Sequence, residues 1–174
     1  ILSLHYPGGC VIGDRPIDIH LKALERLGVR YSDSEQELEA QAFRLTGTDV
    51  SLEFPSVGAT ENLIMAAAAA DGITRIQGSA LEPEIISLCA FLRTAGAEIR
   101  GEETGCITVT GGRKLHPCCF TIPSDRIVAG TYICACLAAG GEIFLKNTPR
   151  GQLTAMEDVA VRMGCILRRS PEGL

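Results

Sequence analysis

Leu27-Gly28-Val29 recurs as Ala95-Gly96-Ala97 and again as Met163-Gly164-Cys165. The three glycines lie 68 residues apart, twice over. Each follows a helix-forming stretch and precedes a short apolar run. That is where a helix ends on a residue able to take φ > 0 at no steric cost. A second marker shares the offset: Pro55-Ser56 and Pro123-Ser124 each follow a short apolar run and precede a stretch rich in small residues. Two independent markers with one spacing identify a structural repeat.

Working outward from these markers, each unit reads as strand, helix, strand, helix, strand, strand. Ser56 and Ser124 are the expected N-caps, with hydroxyls able to accept from the first free N–H groups. Helices are predicted over 57–70 and 125–138, followed by strands over 74–77 and 142–145. Second helices over 83–95 and 153–163 stop at the repeating glycine, and strands over 97–100 and 165–168 open after it. In the complete middle unit, 106–110 and 118–122 are further strands. The first unit lacks its beginning and the third lacks its end. Alternating strands and helices of these lengths argue an α/β fold built from repeated βαβαββ units. The helices over 57–70 and 125–138 are apolar nearly all round beyond their first turns; the first ends in Met65 and five alanines, Ala66 to Ala70. A helix of that kind is buried, so each unit is expected to wrap its sheets around interior helices.

The chain has 174 residues, 46% hydrophobic and 21% charged, with no tryptophan and a formal net charge of −5. A chain of this length buries about 70% of its unfolded surface and folds without staples. Lysines and arginines are scattered singly or in pairs, which speaks against nucleic acid as a partner. Any anionic ligand must be held by local arginines and helix N-termini against the overall field. The longest apolar run, Leu63 to Ala70, is too short to span a membrane, and no signal peptide is legible. The eight cysteines show no Cys-x-x-Cys pair, so neither metal nor cofactor is expected. A reduced, cytoplasmic setting is the expectation. The start at Ile1 rather than Met reads as a piece of something longer.

One stretch reads as chemistry rather than scaffold: Pro7-Gly8-Gly9-Cys10-Val11-Ile12-Gly13-Asp14-Arg15-Pro16-Ile17-Asp18-Ile19-His20. Its three glycines make 7–13 a loop. Pro16 suits the first turn of a helix, and Asp18 there suits the helix dipole. Ile17, Leu21, Leu24 and Gly28 would form the apolar face of that helix. Two readings of Cys10 are open on the residues alone. A nearby cation and helix N-terminus lower a thiol's pKa and make it reactive, while cysteine is also a common buried core residue.

The motif Pro7-Gly8-Gly9-Cys10-x-Ile12-Gly13-x-Arg15-Pro16-x-Asp18-x-His20 resembles the active-site loop of the UDP-N-acetylglucosamine 1-carboxyvinyltransferases. Three further stretches agree in order and spacing: Phe54 to Asn62, Glu82-Pro83-Glu84-Ile85, and Asp125-Arg126-Ile127-x-Ala129-Gly130-Thr131. The resemblance covers essentially the whole chain, and the chain covers under half of a family member. It implies a fold of two lobes, each of three βαβαββ units arranged as an inside-out barrel with helices inside. On that pattern, 1–123 is the latter part of the first lobe and 124–174 the start of the second.

The implied reaction moves enolpyruvyl from phosphoenolpyruvate to the 3-hydroxyl of UDP-N-acetylglucosamine, with release of phosphate, in the first committed step of peptidoglycan synthesis. It implies that Cys10 is the general acid toward the methylene carbon, forms a covalent adduct with phosphoenolpyruvate, and is the target of fosfomycin. Arg15, Pro16, Ile17, Asp18 and Ile19 match the segment that grips the UDP-sugar: charge from Arg15, an acceptor for uracil in Asp18, an apolar bed from Pro16 with Ile19. Ser56, Val57 and Gly58 open a helix whose free N–H groups suit the diphosphate. Local roles stand beside these. Ser56 serves as an N-cap, Asp18 as a dipole partner, Glu82 and Glu84 suit a helix start, and Asp125 and Arg126 suit a pairing at the lobe junction. His20 and His116 read as structural. Phe54 stands where some members carry a lysine, and Val128 where an acidic residue is common. The family's N-terminal Lys-Asn pair, its later catalytic aspartate and its late arginine have no match here, so little or no turnover is expected of these 174 residues alone.

Overall fold

The computed structural model describes residues 2–5, 17–33, 37–148 and 150–174. The chain divides into two compact units, Ile1–Phe120 and Thr121–Leu174.

In the first unit, β1 (Leu2–His5), β2 (Arg30–Asp33) and β3 (Glu37–Gln41) form an antiparallel sheet in the order β1-β3-β2. A second sheet, ordered β4-β5-β7-β6, contains β4 (Asp49–Ser51), β5 (Ile73–Gln77), β6 (Glu98–Arg100) and β7 (Cys106–Thr110). β4 and β5 are parallel, and β7 runs antiparallel to β5 and β6. The helices are α1 (Asp18–Arg26), α2 (Val57–Ala69) and α3 (Pro83–Thr94).

The apolar composition of α2 determines its place. It packs against α1, α3, β5 and β7. Leu63 and Ile64 of α2, Ile76 of β5, Ile107 of β7 and Ile85 of α3 are fully buried in one cluster with Ala23 and Leu27 of α1. Each such large side chain contributes about 1.5–3 kcal/mol relative to exposure. Period-2 alternation puts Thr74 and Ile76, then Ile107 and Val109, on the inner face of the sheet. Thr60, fully buried on α2, satisfies its hydroxyl twice: Oγ1 donates to the Ser56 carbonyl at 2.7 Å and accepts from Ala80 N–H at 3.1 Å.

The repeating glycines do the same work three times. Gly28, Gly96 and Gly164 have φ of 103°, 102° and 96°. After α1, Val29 N–H reaches the Leu24 carbonyl and Gly28 N–H the Glu25 carbonyl. After α3, Ala97 reaches Leu92 and Gly96 reaches Arg93. After α5 (Thr154–Arg162), Cys165 reaches Ala160 and Gly164 reaches Val161. This is the Schellman pairing, which satisfies carbonyls the helix leaves open.

Four expectations are corrected. The buried face of α1 is Ile19–Ala23–Leu27 rather than Ile17–Leu21–Leu24–Gly28. Ala23 and Leu27 are buried, and Ile19 packs on the same cluster. The sheet and α2 lie on that side, and Ile17 is the N-cap rather than a helical residue. Second, Asp125, not Ser124, caps α4 (Arg126–Ala139): its carboxylate accepts from Ile127 N–H at 2.7 Å and Val128 N–H at 3.1 Å. A carboxylate there also meets the helix dipole.

Third, 118–122, 142–145 and 165–168 are not strands. In the first unit β5 and β6 are held by β7, and the position 68 residues on from Cys106 is Leu174. What forms instead is a short antiparallel pairing of 145–147 with 172–174. Leu145 N–H donates to the Leu174 carbonyl at 2.8 Å, and Leu174 N–H to the Leu145 carbonyl at 3.1 Å. The Leu145–Leu174 pair occupies the place in the repeat that Gln77–Cys106 holds in the β5–β7 ladder. A Cβ on Gly173 would lie 2.1 Å from the Leu145 carbonyl oxygen, so this approach requires glycine. Fourth, α4 is not enclosed as α2 is. Ala129, Gly130 and Ile133 are buried, but Ile127 and Tyr132 are 62% and 56% exposed. Within its unit α4 packs on α5 alone among the described helices.

Every described cysteine is a free thiol. Burial pushes the Cys89 thiol up to about 11. Near it Arg93 Nη2 meets Glu102 Oε1 at 2.5 Å, and this hydrogen bond, ahead of all other causes, holds the Glu102 carboxyl below the usual carboxylate range.

Thr60→Val, which leaves Ala80 N–H buried without an acceptor, should lower unfolding stability in urea by about 1–3 kcal/mol. Gly96→Ala should cost about 1–2 kcal/mol from the left-handed backbone alone. A further cost arises because the new Cβ would sit 3.1 Å from the His116 ring. Glu102 binds its proton more weakly folded than unfolded, so its contribution is present near neutrality and lost as pH falls through the acid range. Denaturation midpoints between pH 7 and pH 3 should fall less steeply in Glu102→Gln than in wild type.

Candidate functional site

Two segments that are far apart in sequence meet at the N-terminal ends of α1 and α2. Because β4 and β5 are parallel and joined through α2, the helix runs back across the sheet and begins at the C-terminal edge of these strands. α1 lies alongside it. The C-terminal end of α1 lies toward the chain entering β4, where Thr46 N–H donates to the Leu27 carbonyl at 2.9 Å. Its N-terminal end lies against the first turns of α2.

The contact there is specific. His20 Nδ1 is 2.7 Å from Asn62 Nδ2. The two side chains share one hydrogen bond, its direction set by the imidazole tautomer and the orientation of the amide. The same ring lies over the first turn of α2: a Cβ on Gly58 would be 3.0 Å from His20 Cε1 and 3.5 Å from Nε2.

Of the residues expected at a site, Cys10, Arg15 and Pro16 lie outside the described residues. Ile17 is the half-buried N-cap of α1, with no side-chain cap; its carbonyl accepts from Leu21 N–H at 3.0 Å. Asp18 stands in the first turn with its carboxylate 56% exposed and 3.6 Å from Lys22 Nζ. Lys22 also reaches Glu53 Oε1 at 3.3 Å, and that bond leads the causes that raise its pKa. Ile19 turns toward the core cluster and lines a groove of about 310 Å³ with Lys22, Arg26 and Asp49 to Glu53. Ser56, extended at φ −98° and ψ 121°, caps α2 through Oγ, which accepts from Ala59 N–H at 3.3 Å. The N–H groups of Val57 and Gly58 open the helix ahead of its first intrahelical donor, so they have no partner within it. The structure thus packs α1, which opens at Asp18 and Ile19, beside α2, which Ser56, Val57 and Gly58 open, with His20 as the link to Gly58 and Asn62.

Asn62 and Thr60 were not singled out from the sequence. The available signal was a polar run, Thr60 to Asn62, in the first turns of a helix apolar beyond them, a place where a buried polar group must find an internal partner. Among the described residues no group of three or more His, Cys, Asp or Glu could hold a metal ion, and no helix is long and apolar enough to cross a membrane.

Comparison with known proteins places this geometry. The sequence profile of EPSP synthase (3-phosphoshikimate 1-carboxyvinyltransferase) matches residues 2–173. The chain is 44% identical over 165 residues to UDP-N-acetylglucosamine 1-carboxyvinyltransferase 2 of Caldanaerobacter subterraneus, covering 95% of this chain and 40% of the relative. It is 47% identical over 150 residues to the enzyme of the same name from Carboxydothermus hydrogenoformans, covering 86% and 36%. It is 42% identical over 168 residues to UDP-N-acetylglucosamine 1-carboxyvinyltransferase of Nitratidesulfovibrio vulgaris, covering 97% and 40%. The chain therefore spans about two fifths of the length of these relatives. In structure it is similar to the enolpyruvyl transferase NikO from Streptomyces tendae, with a TM-score of 0.78 over 91% of this chain and 41% of that one, at 23% identity. EPSP synthase from Acinetobacter baumannii follows with a TM-score of 0.66 over 98% and 40%, at 20% identity. Both likenesses carry the mixed α/β enolpyruvyl transferase fold. With a profile match along nearly its whole length, the chain belongs to the family of EPSP synthase (3-phosphoshikimate 1-carboxyvinyltransferase).

Proposed function

We propose that this chain is part of an enolpyruvyl transferase that moves enolpyruvyl from phosphoenolpyruvate to the 3-hydroxyl of UDP-N-acetylglucosamine, releasing phosphate. The observation that carries the reading is the packing of α1 beside α2, with His20 against Gly58 and Asn62, so that Asp18 and Ile19 open one helix where Ser56, Val57 and Gly58 open the next, in a chain 42–47% identical to carboxyvinyltransferases named for that sugar nucleotide. A nucleoside diphosphate needs two things held a few ångströms apart: a group that reads the base and donors for the phosphates. Asp18 is an exposed acceptor for the uracil N–H, with Pro16, Ile17 and Ile19 as apolar surface beside it. The N–H groups of Val57 and Gly58, at the positive end of the α2 dipole, take the diphosphate. Ser56 holds that turn in shape through its cap. Arg15 supplies the fixed positive charge that a chain of net charge −5 otherwise withholds from an anion.

Cys10 is the acid of the reaction. Its thiol gives a proton to the methylene carbon of phosphoenolpyruvate, making it a methyl group, while the sugar hydroxyl gives up its own proton to a base and adds to the adjacent carbon; a proton then leaves the methyl group as phosphate departs, which restores the double bond. A thiol is suited to this because its pKa is tunable toward neutrality, and as the thiolate it is the group that fosfomycin alkylates. Residues 1–123 form the latter part of one lobe and 124–174 the start of the next, a reading supported by the compact units that meet at Phe120 and Thr121. The setting is the cytoplasm, where both substrates are made and where peptidoglycan synthesis, and with it cell shape and division, begins. The 174 residues alone turn over little or nothing, because groups the full reaction needs have no match in them.

Fosfomycin labelling followed by peptide mass spectrometry tests this. One adduct is expected at Cys10, formed faster with UDP-N-acetylglucosamine present and abolished in Cys10→Ser. Equal labelling of the exposed Cys106, Cys119 and Cys134, without preference for Cys10, would refute it.

A further inference from the structure

We infer that His20 is a positioning residue: through Asn62 it locks the base-reading start of α1 to the phosphate-binding first turn of α2. The inference rests on the functional reading above and assigns a role to a side chain that reading leaves unused.

Three observations carry it. The first is the bond itself, 2.7 Å between His20 Nδ1 and Asn62 Nδ2, joining residues 42 apart in sequence. His20 follows directly after Asp18 and Ile19, and Asn62 lies one helical turn after Gly58. Holding these two side chains together therefore fixes the separation of the two half-sites.

The second is Gly58. It lies inside α2 and has no positive φ, so the backbone does not require glycine there. Glycine is less favourable than alanine in such a position. Among the described residues, and beyond its own helix backbone and chain neighbours, the only atoms a Cβ would meet within 4 Å are Cε1 and Nε2 of His20. What the missing side chain provides is a seat for the imidazole. The ring extends from Asn62 toward the start of α2, Nδ1 at the second turn and Cε1 over the first.

The third is directional packing on α1. Asp18, Ile19 and His20 point three ways. Asp18 is open to solvent beside Lys22, Ile19 turns to the core cluster, and His20 faces α2. Ile19 anchors the turn radially and His20 anchors it laterally, which leaves Asp18 projecting from a turn held on two sides. A ligand that spans both half-sites meets a fixed distance and pays less ordering cost on binding.

The test is titration of the ¹⁵N-labelled chain by NMR, with UDP as a ligand that spans both half-sites and uridine as one that engages the base-reading side alone. In the wild type, UDP should shift the amide signals of both Ile19 and Gly58. His20→Ala and Asn62→Ala should each weaken UDP by about tenfold, the loss of one well-placed internal hydrogen bond. The double variant should lose no more than either single one, because they remove the same link. His20→Asn, which keeps a hydrogen-bonding group at the Nδ1 position, should restore most of the affinity. Uridine affinity should be equal in all of them. If His20→Ala fails to fold, the Asn62→Ala arm carries the same comparison. Folded variants that bind UDP as wild type does overturn the inference and leave the functional reading intact. Equal weakening of uridine and UDP overturns it too, by reducing His20 to general support of α1. A wild-type chain in which UDP moves neither segment overturns the functional reading, and this inference with it.

Discussion

A helix with apolar side chains on every side must be enclosed, and the enclosure of α2 organises the first unit. Its last two turns are alanine, leucine, isoleucine and methionine. Such a surface gains little from water, so two helices and a sheet close around most of it and leave Met65 at its open side. Polar side chains survive on it only near its start, and three of those at this end are hydrogen-bonded. Ser56 caps, Thr60 bridges to Ala80, and Asn62 holds His20. The end of the helix that packing leaves least apolar is the end where a ligand can be met. Stability and the candidate site thus come from opposite ends of one element.

The same kind of sequence behaves differently in the second unit. α4 has the composition of an interior helix, yet the positions that correspond to the buried face of α2 are open. Ile127 and Tyr132 stand where Ala59 and Ile64 are completely buried in α2. Apolar composition says that a helix has to be covered; what covers it depends on partners elsewhere. The partners of α2 are strands that hold one another through β7. The corresponding segments of the second unit reach a short pairing of 145–147 with 172–174.

This difference marks how far the fold was legible. The repeat, the helices and their glycine ends could be read because each depends on residues within a few positions of one another. Gly28, Gly96 and Gly164 require a local backbone geometry, and all three have it. Strands depend on neighbours that sequence position does not name, and the expectations for 118–122, 142–145 and 165–168 failed for that reason. The displaced cap at α4 is a finer case, in which two adjacent oxygen side chains compete and the charged one is chosen. At the candidate site, Asp18, Ile19, Ser56, Val57 and Gly58 were legible as motif residues. The role of His20 was not, because its partner lies 42 residues away, and its seat is made by an atom that Gly58 does not have.

The Thr60 hydroxyl has one more consequence. Ala80 N–H points to Oγ1, and the hydroxyl hydrogen points on to the Ser56 carbonyl. The three dipoles are therefore aligned head to tail in a completely buried spot. In such surroundings each bond polarises the next, and the chain is stronger than its members taken singly. It runs from the loop that leads into α3 to the cap that starts α2. The two loops at this edge of the sheet are thus tied to each other through one hydroxyl, so displacing either breaks a bond of the other.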